Sequence, residues 1–394
     1  MHDFSRRVAI HNIYRVKPDL CPMKNTLPFF LLLSVIFTTA ITACHKHPDP
    51  VVIPDTPILV HGADLSFTPE ITQSGYTFSD NGVQKSILSI LKSYGINTIR
   101  VRLWNHPATP HSGLQEVAQF GKEIKAAGLQ FWLDFHYSDT WADPGHQTKP
   151  AAWTGLSFQL LQDSLYAFTS NTLSYLKQNQ ATPDFIEIGN EINAGILWDD
   201  GKVSAPTDPT WINLGALLNQ GAKACRDQTP AAKIILHFAG FAGARDFFIQ
   251  MKGLNVDYDI IGLSYYPWWH TTGLNELSNA IQTLHTTFNN PVMIAETAYP
   301  WTLQWNDQTN NTVGDAGQLI PGIDATPDGQ SKFLNDLSAI IQASSNQTGA
   351  GVCYWAPDWV AFKGKNATDG SIWENLALFD FQGNALPGLS ALGK

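Results

Sequence analysis

Charge is scarce in this sequence. Only 15% of its 394 residues are Asp, Glu, Lys or Arg, and the balance is acidic, with a formal net charge of −10. Neutralising a phosphate backbone takes clustered Lys and Arg, so a nucleic-acid partner is excluded. Cysteine is equally sparse. Of four, Cys21 and Cys44 fall near the amino terminus, leaving Cys225 and Cys353 for the rest of the chain. Two residues cannot build a disulfide framework or a thiolate metal site, and two buried free thiols are expected. No Gly-x-Ser-x-Gly elbow occurs, which argues against serine hydrolysis. No Gly-rich phosphate loop follows the first strand-like run, against an open nucleotide-binding sheet. What the chain does have is apolar and aromatic mass: 44% hydrophobic residues, enough for a large core, and thirteen Trp. Many of those rings fill a core; others suit stacking on sugar faces.

The amino-terminal segment carries a targeting pattern. Met23-Lys24-Asn25 precedes the apolar stretch Leu27 to Ile41, the basic and hydrophobic parts of a secretory signal, too short for a membrane span. It ends in Ile41-Thr42-Ala43-Cys44, which resembles a bacterial lipobox with Cys44 as the lipidated residue. Residues 1–22 sit awkwardly before a signal peptide and are read as an extension, with translation beginning at Met23. Residues 23–43 are then the signal peptide. Its removal with the extension takes away Arg6, Arg7, Arg15, Lys17, Lys24, Asp3 and Asp19, which moves the formal charge from −10 to −13. Residues 44–57, with four prolines, read as the lipidated cysteine and a semi-rigid tether. His45 is not the Asp of an inner-membrane retention signal. The expectation is an exported monomer, lipid-anchored at the outer membrane of a Gram-negative bacterium.

From residue 58 to 394, strand-like and helix-like segments alternate. Ile58–Ala63, Thr98–Leu103, Gln130–Phe135, Phe185–Ile188, Lys233–His237, Ile260–Ser264, Val292–Ala295 and Gly351–Trp355 are short apolar runs suited to buried parallel strands. Between them, Val83–Tyr94, Leu114–Ala127, Phe158–Lys177, Trp211–Asp227, Ala242–Lys252, Leu274–Phe288 and Gln330–Ser344 are amphipathic. This alternation predicts an α/β fold, a (β/α)₈ TIM barrel forming a single catalytic domain. Chemistry in such a barrel sits at the carboxyl ends of the strands. Those ends supply Asp64, Arg102, His136, Asn190, Glu191, His237, Tyr265, Glu296 and Trp355, every one polar or aromatic.

Two of these carry the argument. Ile186-Glu-Ile-Gly-Asn-Glu191 and Pro291-Val-Met-Ile-Ala-Glu296 are apolar runs that each end on a glutamate, at the fourth and seventh strands. Paired carboxylates are what glycosidic hydrolysis requires: one holds a proton for the leaving oxygen, and the other attacks or supports the anomeric carbon. Glu191 is assigned as general acid/base and Glu296 as nucleophile. A retaining pair of this kind stands about 5–5.5 Å apart. Asn190 is placed to hydrogen-bond the sugar 2-hydroxyl, Tyr265 to donate to Glu296, and Arg102 to keep Glu296 ionised. Trp355 would floor the subsite of the cleaved sugar. Glu187 lies deeper and is the poorer acid. Asp257 and Asp259 precede a strand at the barrel bottom and suit helix or turn contacts. His136 and His237 lack the spacing of a helical zinc pair, and a strand-end His suits substrate or neighbour contacts.

The loop His136-Tyr-Ser-Asp-Thr-Trp141-Ala-Asp-Pro-Gly-His-Gln147-Thr-Lys-Pro150-Ala-Ala-Trp153 resembles that of the endo-β-1,4-galactanases, glycoside hydrolase family 53. Gly62-Ala-Asp64, Asn97-Thr-Ile-Arg100-Val-Arg102-Leu-Trp104, Gly262-Leu-Ser-Tyr265-Tyr-Pro-Trp268-Trp269 and Trp373-Glu-Asn375 also match its pattern. The resemblance implies endo-hydrolysis of β-1,4-galactan, the side chain of type I arabinogalactan and pectin, with retention at the anomeric carbon. It implies that Asp64, His136, Asp139, Trp141, Trp268 and Trp355 line a polysaccharide groove. No cofactor is required by this chemistry. Some bacterial relatives bind calcium between the last two strand-to-helix loops; Asp307, Asp315, Asp358 and Asp369 are the oxygen donors there, without a recognisable ligand spacing. The loop from Trp301 to Pro327 is placed to extend or cover the groove. The alternatives are another β-1,4-endoglycanase of the same clan, or a non-catalytic glycan-binding lipoprotein.

Overall fold

The structure, a computed structural model, describes residues 59–344 and 351–394. The expected extension, signal peptide, Cys44 and tether lie outside the described residues, as does Ile58. Eight parallel strands close into a barrel: β1 (Val60–Asp64), β2 (Thr98–Leu103), β3 (Gln130–Phe135), β4 (Phe185–Ile188), β5 (Lys233–Ala239), β6 (Ile260–Tyr265), β7 (Val292–Thr297) and β8 (Gly351–Trp355). Each pairs with its sequence neighbours, and β1 closes the ring on β8, with Val60 opposite Gly351 and Asp64 opposite Trp355. Around them run α1 (Thr68–Gln73), α2 (Ile87–Ser93), α3 (Leu114–Ala126), α4 (Phe158–Gln178), α5 (Trp211–Gln228), α6 (Ala244–Gly253), α7 (Leu274–Phe288), α8 (Pro327–Ser344) and α9 (Gly388–Leu392). This is the expected (β/α)₈ barrel. None of the described helices is long and apolar enough to cross a membrane.

Departures from expectation have local causes. β1, β5, β6 and β7 run one or two residues past the apolar stretches that define them in sequence, because the parallel ladder keeps pairing there: Asp64 with Trp355, Ala239 with Ser264 and Tyr265 with Thr297. The helix expected over Val83–Tyr94 begins only at Ile87. Asn81 and Gly82, both at positive φ (50° and 75°), turn a hairpin in which Phe78–Asp80 pairs antiparallel with Val83–Lys85. Ser86 then caps α2, its side chain accepting from the Ser89 amide at 3.2 Å.

Alternation along the strands sorts the interior. Val60, Trp132, Phe185, Ile235, Ile260, Met293, Ala295 and Cys353, from every strand but β2, form an apolar plug separate from the larger cluster between strands and helices. One position deviates, and it matters. Strict alternation would send Glu296 outward, since Met293 and Ala295 face in. The pairing with β6 steps from Leu263–Ile294 to Ser264–Glu296, and that with β8 from Val352–Ile294 to Tyr354–Thr297. One extra residue on β7 makes a bulge that turns Glu296 into the mouth.

Cys225 and Cys353 are both free and buried, as expected. Asp257 and Asp259 pair with Arg226 (2.9 and 3.0 Å), fastening the carboxyl end of α5 to the segment that enters β6.

Near the end of the chain Gly393 lies backbone to backbone against Gly95, just past α2. Gly95 has φ +97°, and a Cβ there would meet the Gly393 carbonyl oxygen at 2.4 Å. Gly155 also has positive φ (+77°) but has open space around it. Gly95→Ala should therefore cost more than the roughly 1–3 kcal/mol of a left-handed non-glycine residue, and Gly155→Ala no more than that. Urea unfolding of the two variants gives the comparison; equal losses would show that the contact with Gly393 is not tight.

Candidate active site

At the carboxyl ends of the strands lies a cleft of about 370 Å³, lined by Asp64, Arg102, His136, Trp141, Asn190, Glu191, Glu296 and Trp355 among others. Most of the residues singled out from sequence therefore converge on one hollow. The group that organises it is Arg100, which is 1% exposed. Its Nη1 donates to Asp64 Oδ2 and Glu296 Oε1, both at 2.8 Å. Its Nε and Nη2 grip both oxygens of Glu187 at 2.9 Å, and Nη2 also reaches Asp134 at 3.0 Å and Asn190 Oδ1 at 2.9 Å. Burial opposes its charge, but the four carboxylates outweigh that and raise its pKa far above the ordinary value. A planar five-donor fork can serve this many acceptors; an ammonium cannot.

Arg102 does not hold Glu296, contrary to the sequence reading. It shares the inward face of β2 with Arg100 but stands higher. Its guanidinium carbon lies 4.2 Å from the Phe67 ring centroid and 4.3 Å from that of Trp141, and its Nε donates to Ser112 at 2.9 Å. Burial lowers its pKa to about 10. Tyr265 is likewise displaced by its neighbour. It faces the helices, stacks on Phe333 and donates to the Thr271 carbonyl, whereas Tyr266 donates to Glu296 Oε2 at 2.9 Å. With Gly262 and Ser264 on the inward face, Tyr266 has the right parity and Tyr265 the wrong one.

The two glutamates differ in setting. Glu296 is fixed by Arg100 on one oxygen and Tyr266 on the other. Glu191 is contacted by the Ser264 hydroxyl at 2.5 Å, and desolvation followed by repulsion from Glu296 raises its pKa to about 7. One carboxyl that keeps its proton near neutrality thus faces another bound by a guanidinium, the division of labour that acid and nucleophile need. Glu187 is fully buried. Burial alone would raise its pKa, but Arg100 and His237 hold it near 2, so it is no proton donor.

The backbone that presents Glu191 is held open. Gly189 and Glu191 have φ of +103° and +47°, so β4 ends in a turn that alternation does not foresee. Buried Gln147 donates through Nε2 to the carbonyls of Asn190 (2.8 Å) and Asp143 (3.1 Å), with Glu191 O at 3.4 Å. Asn190 returns a bond from Nδ2 to Ala142 O at 2.7 Å. The long loop after β3 is therefore the brace for the turn after β4. His136 joins it: its Nδ1 accepts from the Ala142 amide at 3.0 Å, which leaves Nε2–H to donate to Asp134 at 2.9 Å. Burial first, then Arg102 and Arg100, depress the His136 pKa to about 3 and keep the ring neutral.

Three further expectations are corrected. His237 is fully buried below the cleft, bonded to Glu187, Asn190 and Ser264, and does not line it. Asp139 ties loops together, accepting from the His106 and Ala151 amides. Trp268 packs behind the wall on Tyr266 and Trp373, while Trp269, 59% exposed, faces the cleft together with Trp359 and Trp373. Trp141 and Trp355 stand at the mouth as expected, their centroids 6.1 Å apart.

The four aspartates considered for calcium do not come together. Asp307 spends its oxygens on the Thr309 and Ser371 amides, Asp358 accepts from Thr68, Asp315 caps a 3₁₀ turn and Asp369 pairs with Lys363. Among the described residues no group of three or more His, Cys, Asp or Glu is arranged to hold a metal. The loop from Trp301 is sewn to the last loop by these and neighbouring bonds, and Thr312 brings it to the cleft.

A model of glycosyl hydrolase family 53 matches residues 60–392. The arabinogalactan endo-β-1,4-galactanase of Cellvibrio japonicus is 39% identical over 346 residues, spanning 85% of this chain and 90% of that protein. The endo-β-1,4-galactanase of Bacillus subtilis is 32% identical over 373 residues, spanning 84% of each. Among solved structures, the GH53 catalytic domain of Ignisphaera aggregans superposes with a TM-score of 0.81 at 35% identity, covering 87% of this chain and 98% of that one.

Replacing Arg100 by Lys keeps one charge but cannot span four carboxylates and Asn190. We expect a loss of about 3–5 kcal/mol in unfolding free energy, as for a broken buried ion pair. Urea denaturation followed by circular dichroism measures it; a variant as stable as wild type would mean the network does not depend on the fork.

Proposed function

The chain belongs to glycosyl hydrolase family 53, and on that footing we propose that its cleft cuts internal β-1,4-galactosidic bonds of galactan by double displacement, with Glu191 as acid/base and Glu296 as nucleophile. The protein is a glycoside hydrolase with a polysaccharide substrate of the galactan type. The observation that carries the residue roles is the contrast between the two carboxyls: Glu191 near pKa 7 beside Glu296 held by Arg100 and Tyr266. In the first step Glu191 gives its proton to the leaving oxygen as Glu296 bonds to C1. In the second, water attacks C1, loses its proton to Glu191 and frees Glu296, so the configuration is retained. Asn190, whose Oδ1 is taken by Arg100, presents its amide at the cleft for the sugar 2-hydroxyl. Trp141, Trp269 and Trp355 offer ring faces to neighbouring sugars.

Linear β-1,4-galactan should be cleaved to short oligosaccharides. Cutting cellulose, mannan or xylan instead would favour another endoglycanase of the clan, and binding without cutting a non-catalytic role. Glu191→Ala should lose about 10²–10⁴ in rate on galactan; on an aryl β-galactobioside whose dinitrophenolate leaves unprotonated, azide should speed the second step and give a β-glycosyl azide product. Glu296→Ala with azide should give the α-azide. The opposite pairing of products would exchange the two roles.

The acid must be protonated, so kcat/KM should fall tenfold per unit above a pKa near 7. A profile flat to pH 9 would remove Glu191 as the acid.

The proposal extends to the amino-terminal region. The signal pattern and Ile41-Thr-Ala-Cys44 support an exported lipoprotein tethered through residues 44–57 to the outer membrane. Cys44→Ala should release the protein from the membrane fraction; a soluble wild type would contradict the anchor.

A further inference from the structure

Below the cleft, buried polar groups that touch no substrate line up on Glu191. His237, on β5, is fully buried, as are Glu187 on β4 and Ser264 on β6. His237 Nδ1 lies 2.7 Å from Glu187 Oε1 and 3.1 Å from Asn190 Oδ1. On the other side of the ring, Nε2 lies 2.8 Å from Ser264 Oγ, which in turn lies 2.5 Å from Glu191 Oε1.

The ends of this column fix its direction. Asn190 Oδ1 accepts from Arg100 Nη2, and Asn190 Nδ2 donates to Ala142 O, so the amide orientation is set. Both atoms facing His237 Nδ1 are therefore acceptors, and Nδ1 carries hydrogen. Burial opposes a second proton on the ring, and Arg100 repels it. Glu187, then Glu296, outweigh both and raise the His237 pKa. At the other end Ser264 donates its single hydrogen to Glu191 Oε1, so its Oγ is left to accept from His237 Nε2.

We propose that His237 and Ser264 are positioning residues that commit Oε1 of Glu191 to accepting a hydrogen bond, so that the catalytic proton is carried and exchanged on Oε2. This rests on Glu191 being the acid/base and specifies which of its oxygens works. Oε2 gives its proton to the leaving oxygen as the C1–O bond breaks and the Glu296–C1 bond forms. It regains one from the water that attacks C1 as the Glu296–C1 bond breaks. Between the two events Glu191 is an anion, and donation from Ser264 favours that stage over the protonated one. The charged or titratable groups facing Glu191 are Glu296 on β7, Arg100 on β2, His237 on β5 and Tyr266 after β6; those facing His237 are Glu187, Glu296, Asp134 and Arg100. Removing the Ser264 hydroxyl changes none of these charges.

The test is Ser264→Ala and His237→Gln, with Ser264→Thr as the conservative control and thermal unfolding to confirm folding. Both removals weaken the anionic form, so the basic limb of kcat/KM on galactan should move up by about one pH unit. On an aryl β-galactobioside with a dinitrophenolate leaving group, which needs no acid, the first step should be unchanged. The second step starts from the anion that Ser264 stabilises, so it should not slow there, whereas galactan, whose first step ends on that anion, should be cut up to about tenfold more slowly below the limb. Ser264→Thr should restore the limb and the rate on galactan. If the limb stays within about 0.2 pH unit of wild type in both removals while activity falls, the column is scaffold only and the proposal is overturned. Glu191→Ala on galactan separates the two levels. Loss of the basic limb there keeps Glu191 as acid/base whatever Ser264 does, whereas a persisting limb overturns that assignment and the proposal with it.

Discussion

One guanidinium holds the centre of this molecule together. Arg100 rises from β2 into a space shared by β1, β3, β4 and β7 and donates to a carboxylate from each. Four acidic side chains crowded on the axis of a barrel would repel one another in a low dielectric; the cation turns that repulsion into attraction and gives each acid a fixed partner. The site depends on it in two ways. Glu296 is kept in place at the cleft by a charged partner on Oε1. Glu187, held down near pKa 2, becomes a permanent anion that draws charge onto His237.

The polar layer stacks between two others. Beneath it the apolar plug of Trp132, Phe185, Met293 and their neighbours closes the barrel, and the Trp132 indole bridges the two layers by donating to Glu187 at 3.0 Å. Above it Trp141, Trp355 and Trp269 open to solvent. Charge is therefore concentrated in a single disc where its partners are all present, while both adjoining layers are largely carbon. A chain with only 15% charged residues has placed several of them where they are most expensive to bury and most consequential.

Backbone irregularity does the aiming. The β7 bulge rotates Glu296 into the mouth, and the positive φ at Gly189 and Glu191 turns the acid away from the strand direction. Such local departures persist because the surroundings over-determine them: Gln147, from the loop after β3, braces the carbonyls of the β4 turn. The signature loop thus contributes Trp141 to the cleft wall and Gln147 to the turn that presents Glu191.

Much of this was legible in the sequence, and the boundary has a physical basis. Apolar runs of strand length separated by amphipathic segments specify the barrel, because burial on both faces and a 3.6-residue period are local properties of the chain. Glutamates ending the fourth and seventh runs, with Asn190 adjacent, specify the reaction by the same logic. What sequence order does not contain is which of two neighbouring residues faces in. Tyr266 rather than Tyr265 was decided by strand parity, Trp269 rather than Trp268 by the turn after β6, and Arg100 rather than Arg102 by height in the barrel. His237 could be placed at a strand end but not beneath the cleft. The sequence determined the fold and singled out the pair of carboxyls; only the closed barrel, by bringing five distant segments into hydrogen-bond contact, decided which cation, hydroxyl and amide hold them.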